Sequence, residues 1–137
     1  MTQEDKKLLL KDLCARLPYD VKVESVFINT DIKKRKSCGI EVFDATCILM
    51  IRDGFGEFKP YLFPLSSITE GQKDQISQLL LDAKIEFPPY EEDYVNLLVS
   101  SIKQSNALIN YCLANHFDIN GLIEEGLAID ATGLNIY

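Results

Sequence analysis

The hydrophobic period of this chain changes from alternating to helical near residue 66, and that change limits the fold more than any other feature. Over about 20–64, apolar and polar residues alternate as in half-buried strands. After it, apolar residues recur at three- and four-residue steps, as on one face of a helix. A β-rich stretch followed by a helical one predicts a segregated α+β architecture rather than repeating βαβ units. At 137 residues the chain suits a single domain. It divides into a helix over 1–18, a β-rich part over 20–64, a helical part over 66–128 and an extended tail over 129–137.

The opening helix is predicted from about residue 2 to 17. Thr2 is a plausible N-cap, and Asp5 three positions on places an acid at the positive helix end. Leu9, Leu10, Leu13, Cys14 and Leu17 make its apolar stripe, and Pro18 stops it. In 20–29, Val21 and Val23 alternate with Lys22 and Glu24. The phase then slips at Ser25 and Val26, which indicates a bulge or bend. The run AlaThrCysIleLeuMetIleArg at 45–52 is apolar enough for a central strand, with Asp53 and Gly54 as a hairpin turn after it. Strand character returns over 57–63, where Pro60 and Pro64 confine the piece to an edge or a bulge. Short connections favour an antiparallel sheet of about four strands, which could curl into a small barrel.

Beyond residue 66, ThrGluGlyGln at 69–72 is a capping box that opens a helix through Ile76, Leu79, Leu80 and Ala83. Pro88 and Pro89 break it. A long helical stretch runs from about 91 to 115, with Ser105 and Asn106 as the place where it could be interrupted. A short helix over about 120–125 ends at Gly126.

Composition narrows the function classes. With 47% hydrophobic and 26% charged residues, the chain is neither disordered nor collagen-like. No apolar run approaches the ~18 residues of a membrane span. The N-terminus lacks a signal-peptide pattern, which points to the cytoplasm. Cys14, Cys38, Cys47 and Cys112 then read as free thiols. Residues 1–68 carry 11 Lys and Arg against 10 Asp and Glu, whereas residues 69–137 carry 3 against 11. The acidic half disfavours nucleic acid as a partner and could face a basic protein. Lys33, Lys34, Arg35 and Lys36 form the only basic run. They read as a charged hairpin tip that could touch phosphate or an acidic partner, or meet the acidic half of a second copy in a homo-oligomer.

Few residues have a claim to chemistry. His116, the sole histidine, lies four residues after Cys112, so the two could share a helix face as an imidazole-activated thiolate. No CxxC spacing and no second histidine complete a zinc set, and nothing calls for a cofactor. AspGlyPheGlyGlu at 53–57 lacks the spacing of a phosphate loop. Glu91, Glu92 and Asp93 complement a helix N-terminus. Tyr61, Phe63, Tyr90 and Tyr94 join Lys33, Lys34, Arg35 and Lys36 as the candidate interaction surface, since a phenol buries its ring and keeps a wet hydroxyl.

Three blocks, LysLysLeuLeuLeuLysAspLeuCysAlaArgLeuProTyr with the following ValLysValGlu (6–24), LysProTyrLeuPheProLeuSerSerIleThr (59–69) and AsnHisPheAspIleAsnGlyLeuIleGluGluGlyLeuAlaIle (115–129), resemble a family of small uncharacterised proteins from prophages and mobile elements of gut Bacteroidetes. The chain departs from that pattern at Phe63, where arginine is common, at Asn115, where a second histidine is common, and at Tyr111 and Cys112, where AspTrp is common. The tail also lacks the usual GluAlaPro. The resemblance implies a mobile-element setting and one shared fold, and supplies no active site. Taken together, the sequence predicts a non-enzymatic protein-binding or modulator protein, which should present an exposed tyrosine-bearing patch with no polar pocket beside it. A thiol enzyme built on Cys112 and His116, and nucleic-acid contact through Lys33–Lys36, are the alternatives.

Overall fold

The opening helix, α1 (Gln3–Ala15), begins as its sequence dictates. The Thr2 hydroxyl accepts from the Asp5 amide at 3.0 Å, and the Asp5 carboxylate accepts from the Thr2 amide at 3.2 Å. Pro18 turns the chain through a single 3-10 turn (Leu17–Tyr19) into the sheet. The computed structural model describes residues 2–29, 34–54, 56–84, 94–102 and 104–137.

Four strands follow the order β2-β1-β3-β4: β1 (Lys22–Asn29), β2 (Lys34–Val42), β3 (Gly56–Leu62) and β4 (Ile129–Asp130). The register of β1 against β2 shifts between Ser25 and Val26, where the sequence phase slips. Two features qualify the expected antiparallel sheet and its possible closure into a barrel. The sheet is open, and it is mixed: β4 runs parallel to β3, pairing Tyr61 with Ile129 and Leu62 with Asp130. Part of the expected extended tail therefore becomes a strand. Pro60 lies just before that pairing begins, so its missing N–H is tolerated although β3 is an inner strand.

The run at 45–52 is not a central strand. It is a helix, α2 (Ala45–Asp53), and the topology gives the reason. β1 is antiparallel to both β2 and β3, so β2 and β3 run the same way and cannot be joined by a hairpin. The connection must travel back along the sheet, and a helix does so. Asp44 caps it by accepting from the Cys47 amide at 3.1 Å, and Gly54 ends it at φ 77°. Asp53 and Gly54 thus close a helix rather than a hairpin. Cys47 and Ile51 face inward and Leu49 outward.

The helical half contains α3 (Glu70–Asp82), α4 (Tyr94–Ile102) and α5 (Asn106–Ala114). Thr69 and Gln72 form the reciprocal capping box. The long helical stretch is two helices, because the Ser105 hydroxyl takes the Leu108 amide and starts α5 anew. Pro88, Pro89 and the start of that stretch at 91–93 lie outside the described residues. The short helix expected at 120–125 is a series of turns, since Gly121 at φ 71° leaves the right-handed region. Asp118 still caps the segment, accepting from the amides of Leu122 at 2.8 Å and Ile123 at 3.0 Å.

Buried apolar residues fall into two clusters. One joins Leu9 and Leu13 of α1 to Val23, Phe58 and Leu62 of the sheet, Ile51 of α2 and Leu122. The other joins Ile76 and Leu80 of α3 to Leu98, Ile102, Leu108, Cys112 and Phe117. Between them lies a buried ion pair. Arg16 donates to Asp12 at 2.7 and 3.1 Å and to the Phe117 carbonyl at 2.7 Å, and Asn120 donates to Asp12 at 2.7 Å. Both charged side chains are fully buried.

Candidate functional site

The end of α5 sets the site. The Phe117 amide donates to the Cys112 carbonyl at 2.9 Å, and the His116 amide to the Leu113 carbonyl at 3.1 Å. These two bonds are a Schellman motif, whose turning residue must adopt positive φ. Glycine usually fills that place; here His116 does, at φ 62°. His116 thus closes the helix as its turning residue. Burial lowers its pKa to about 4, with Arg16 and Lys22 adding to the effect and Asp20 opposing it. The ring is therefore neutral near pH 7.

The turn aims the imidazole at Tyr137. The two rings stack with centroids 3.7 Å apart and planes 12° from parallel. The Tyr137 hydroxyl accepts from the Lys22 amide at 2.9 Å and donates to the Tyr61 carbonyl at 2.7 Å. Lys22 and Tyr61 would be the next pair after Val23 and Pro60 in the β1–β3 register. The phenol thus bridges the two strands just beyond the end of their ladder. Burial pushes its pKa up to about 12, so it keeps the proton it donates. Lys22 Nζ sits 5.7 Å from the centre of the same ring and donates to the Ile136 carbonyl at 2.6 Å.

These rings form one wall of a cleft of about 400 Å³. Phe63, which tilts against Tyr137 at 5.9 Å, and Phe117 extend the aromatic surface. Ser67, Thr69, Gln72, Asn115 and Thr132 supply polar groups without charge. With His116 neutral, no ionised side chain among the described residues lines the cleft, which suits a neutral, partly aromatic occupant. His116 Nδ1 and Arg16 Nη1 are both buried and have no partner among the described residues. A second cleft, about 340 Å³, is bordered by Asp5, Glu57 and Glu125 with Lys59 among them.

The structure separates the other sequence candidates. Cys112 is fully buried, and burial pushes its thiol up to about 11, away from the thiolate a nucleophile needs. Tyr61 is buried rather than presented and serves the site through its carbonyl, whereas Phe63 lines the cleft. Among the described residues the exposed tyrosine is Tyr137, 43% exposed, and a cleft with polar groups lies beside it, contrary to the expected pocket-free patch. Lys34, Arg35 and Lys36 occupy the first three positions of β2, and Tyr94 the first of α4. Lys33 and Tyr90 lie outside the described residues. Among the described residues, Cys14, Cys47 and Cys112 are free, and Cys14 is exposed rather than packed. No group of three His, Cys, Asp or Glu among the described residues could hold a metal.

Sequence reasoning missed Tyr137 and Arg16. Asp12 and Arg16 stand at i and i+4 on the same face as Leu9 and Leu13, and that spacing was the available signal. Nothing local marks Tyr137. Comparison with protein-family models, with curated proteins and with solved structures finds no match. Among the described residues, no helix is long and apolar enough to cross a membrane.

Proposed function

We propose that this chain is a non-enzymatic binding protein that recognises a partner protein through the His116–Tyr137 cleft. The observation that carries this reading is the lining: stacked and tilted aromatic rings with uncharged polar groups, in a chain whose net charge is -7. Such a surface suits an uncharged side chain of a protein better than a phosphate or a metal. The acidic C-terminal half supports a partner with a basic rim, which charge would steer towards the cleft. The block resemblance supports a cytoplasmic role in a prophage or mobile element.

Against the thiol-enzyme alternative stand the directions of the two pKa shifts. Burial raises Cys112 and lowers His116, which disfavours a thiolate–imidazolium pair. Self-association remains part of the reading, because a basic run and an acidic half occur in one chain.

The test is affinity capture from a lysate of the source cells with the wild-type protein and Thr132→Arg, each with and without nuclease. Thr132 is exposed at the cleft rim, so arginine there blocks the opening without entering the core. A protein held by the wild type in both nuclease arms and lost by Thr132→Arg supports the reading. Equal capture by both forms moves the interface elsewhere. Loss of capture on nuclease treatment transfers the role to Lys33–Lys36 and nucleic acid.

A further inference from the structure

We propose that the His116 ring is the receptor for a tyrosine side chain presented by the partner protein, and that Tyr137 is a built-in competitor occupying its place. The inference rests on the binding reading above and specifies the group that is bound.

Three observations carry it. First, the interactions that hold Tyr137 are generic to any phenol. A ring stacks on a neutral imidazole, and a hydroxyl finds one donor, the Lys22 amide, and one acceptor, the Tyr61 carbonyl. A tyrosine from another chain meets the same three groups. Second, the two are held differently. The His116 backbone is fixed by the two bonds of its helix-ending turn. Thr132, Gly133, Leu134 and Asn135 lie exposed on the surface, and the backbone bond from Leu134 to Ala131 is local. The attachment to the sheet comes earlier, through β4 and the Ala131 amide on the Leu62 carbonyl at 2.8 Å. Beyond Ala131 the segment is tied to the strands by the Lys22 Nζ bond to the Ile136 carbonyl and by the two phenol bonds, so exchanging those frees Tyr137 while β4 stays paired. Third, the receptor ring carries an unmet polar atom: His116 Nδ1 is buried and has no partner among the described residues. His116 also holds a left-handed backbone as a β-carbon residue, the kind of strain that collects at binding sites.

A tethered competitor acts at high effective concentration, on the order of millimolar. A partner tyrosine displaces it only with help from further contacts, and the uncharged polar groups beside His116 provide them. The competitor thus sets a threshold: isolated tyrosines are excluded, and a tyrosine embedded in a fitting peptide is admitted.

The sole histidine makes the test direct. The imidazole signals of His116 are followed by NMR while N-acetyl-tyrosinamide, or N-acetyl-phenylalaninamide as control, is added to the wild type, Tyr137→Ala and Lys22→Ala. The proposal expects the tyrosine amide to bind Tyr137→Ala with a midpoint at least about tenfold lower than for the wild type, because the competitor is gone. The phenylalanine amide should bind it several-fold more weakly, lacking the hydroxyl that pairs with Lys22 and Tyr61. Lys22→Ala loosens Ile136 and the ring without removing the phenol, and gives an intermediate midpoint even if Tyr137→Ala fails to fold. Folded Tyr137→Ala whose His116 signals ignore the tyrosine amide overturns the proposal, as does equal binding of the two amides. A captured partner that the tyrosine amide fails to displace from Tyr137→Ala overturns this inference and leaves the binding function standing. Tyrosine-amide binding with no protein captured overturns the binding function alone.

Discussion

Replacing Asp12 by alanine should be the most damaging single change available in α1. Asp12 and Arg16 are both fully buried and bonded at 2.7 and 3.1 Å, so removing the carboxylate leaves a guanidinium charge inside the protein. Breaking such a pair from one side costs about 3–5 kcal/mol, far more than an exposed i,i+4 pair is worth. Arg16 keeps its bond to the Phe117 carbonyl, while Asn120 loses its acceptor. A domain of this size has a total stability of about 5–15 kcal/mol, so the variant should be close to unfolding. With an unfolding entropy of roughly 2.1 cal/mol/K per residue, the melting temperature should fall by about 10–17 °C. The double replacement Asp12→Leu with Arg16→Met removes both charges and fills the space, and should recover most of the loss. Urea melts followed by circular dichroism on the wild type, both singles and the double give the coupling energy. If Asp12→Ala lost less than about 1 kcal/mol, or if the double were as unstable as the sum of the singles, the pair would not be desolvated as described.

Other positions give separate tests. At His116, glycine and alanine both remove the ring, but only glycine accepts φ 62° freely, so His116→Gly should be more stable than His116→Ala by about 1 kcal/mol in urea melts. His116 has a folded pKa of about 4 against 6.5 for the free group, so the unfolded chain binds more protons between those values. Its contribution to stability is complete above about pH 6.5 and is lost as pH falls towards 4; His116→Gln should flatten that part of a stability–pH curve. Cys112 should resist alkylation in the folded protein, with a rate that keeps rising past pH 9, whereas exposed Cys14 should react readily; mass spectrometry of the labelled peptides separates them.

Local signals in the sequence carried much of this architecture. Thr2 with Asp5, and Thr69 with Gln72, mark two helix starts because capping chemistry lies within three residues. The slip at Ser25 and Val26 marks the bulge for the same reason. What escaped was set by distance. The stretch 45–52 reads as a strand on composition, and only the parallel relation of β2 to β3 requires a crossing helix there. Its caps, Asp44 and Gly54, were legible but were outweighed by a run of apolar residues. The site depends on Tyr137 meeting Lys22 and Tyr61, contacts that span 115 and 76 residues and leave no periodic trace. Phe63 was singled out as an aromatic, but its place beside His116 follows from the bridge between Phe63 and Phe117, which sequence spacing does not encode.

The division of the interior into two apolar clusters bears on how the molecule comes apart. Each cluster has its own helices; Arg16, just past the end of α1, ties them by donating to the Phe117 carbonyl. Hydrogen exchange on such a molecule resolves into two protection classes, one for the sheet with α1 and α2 and one for α3 to α5, to the extent that the halves open separately. Arg16 works against that separation, since opening α3 to α5 takes away the carbonyl that its buried guanidinium donates to. Substitutions there should change the sharpness of unfolding as well as its midpoint.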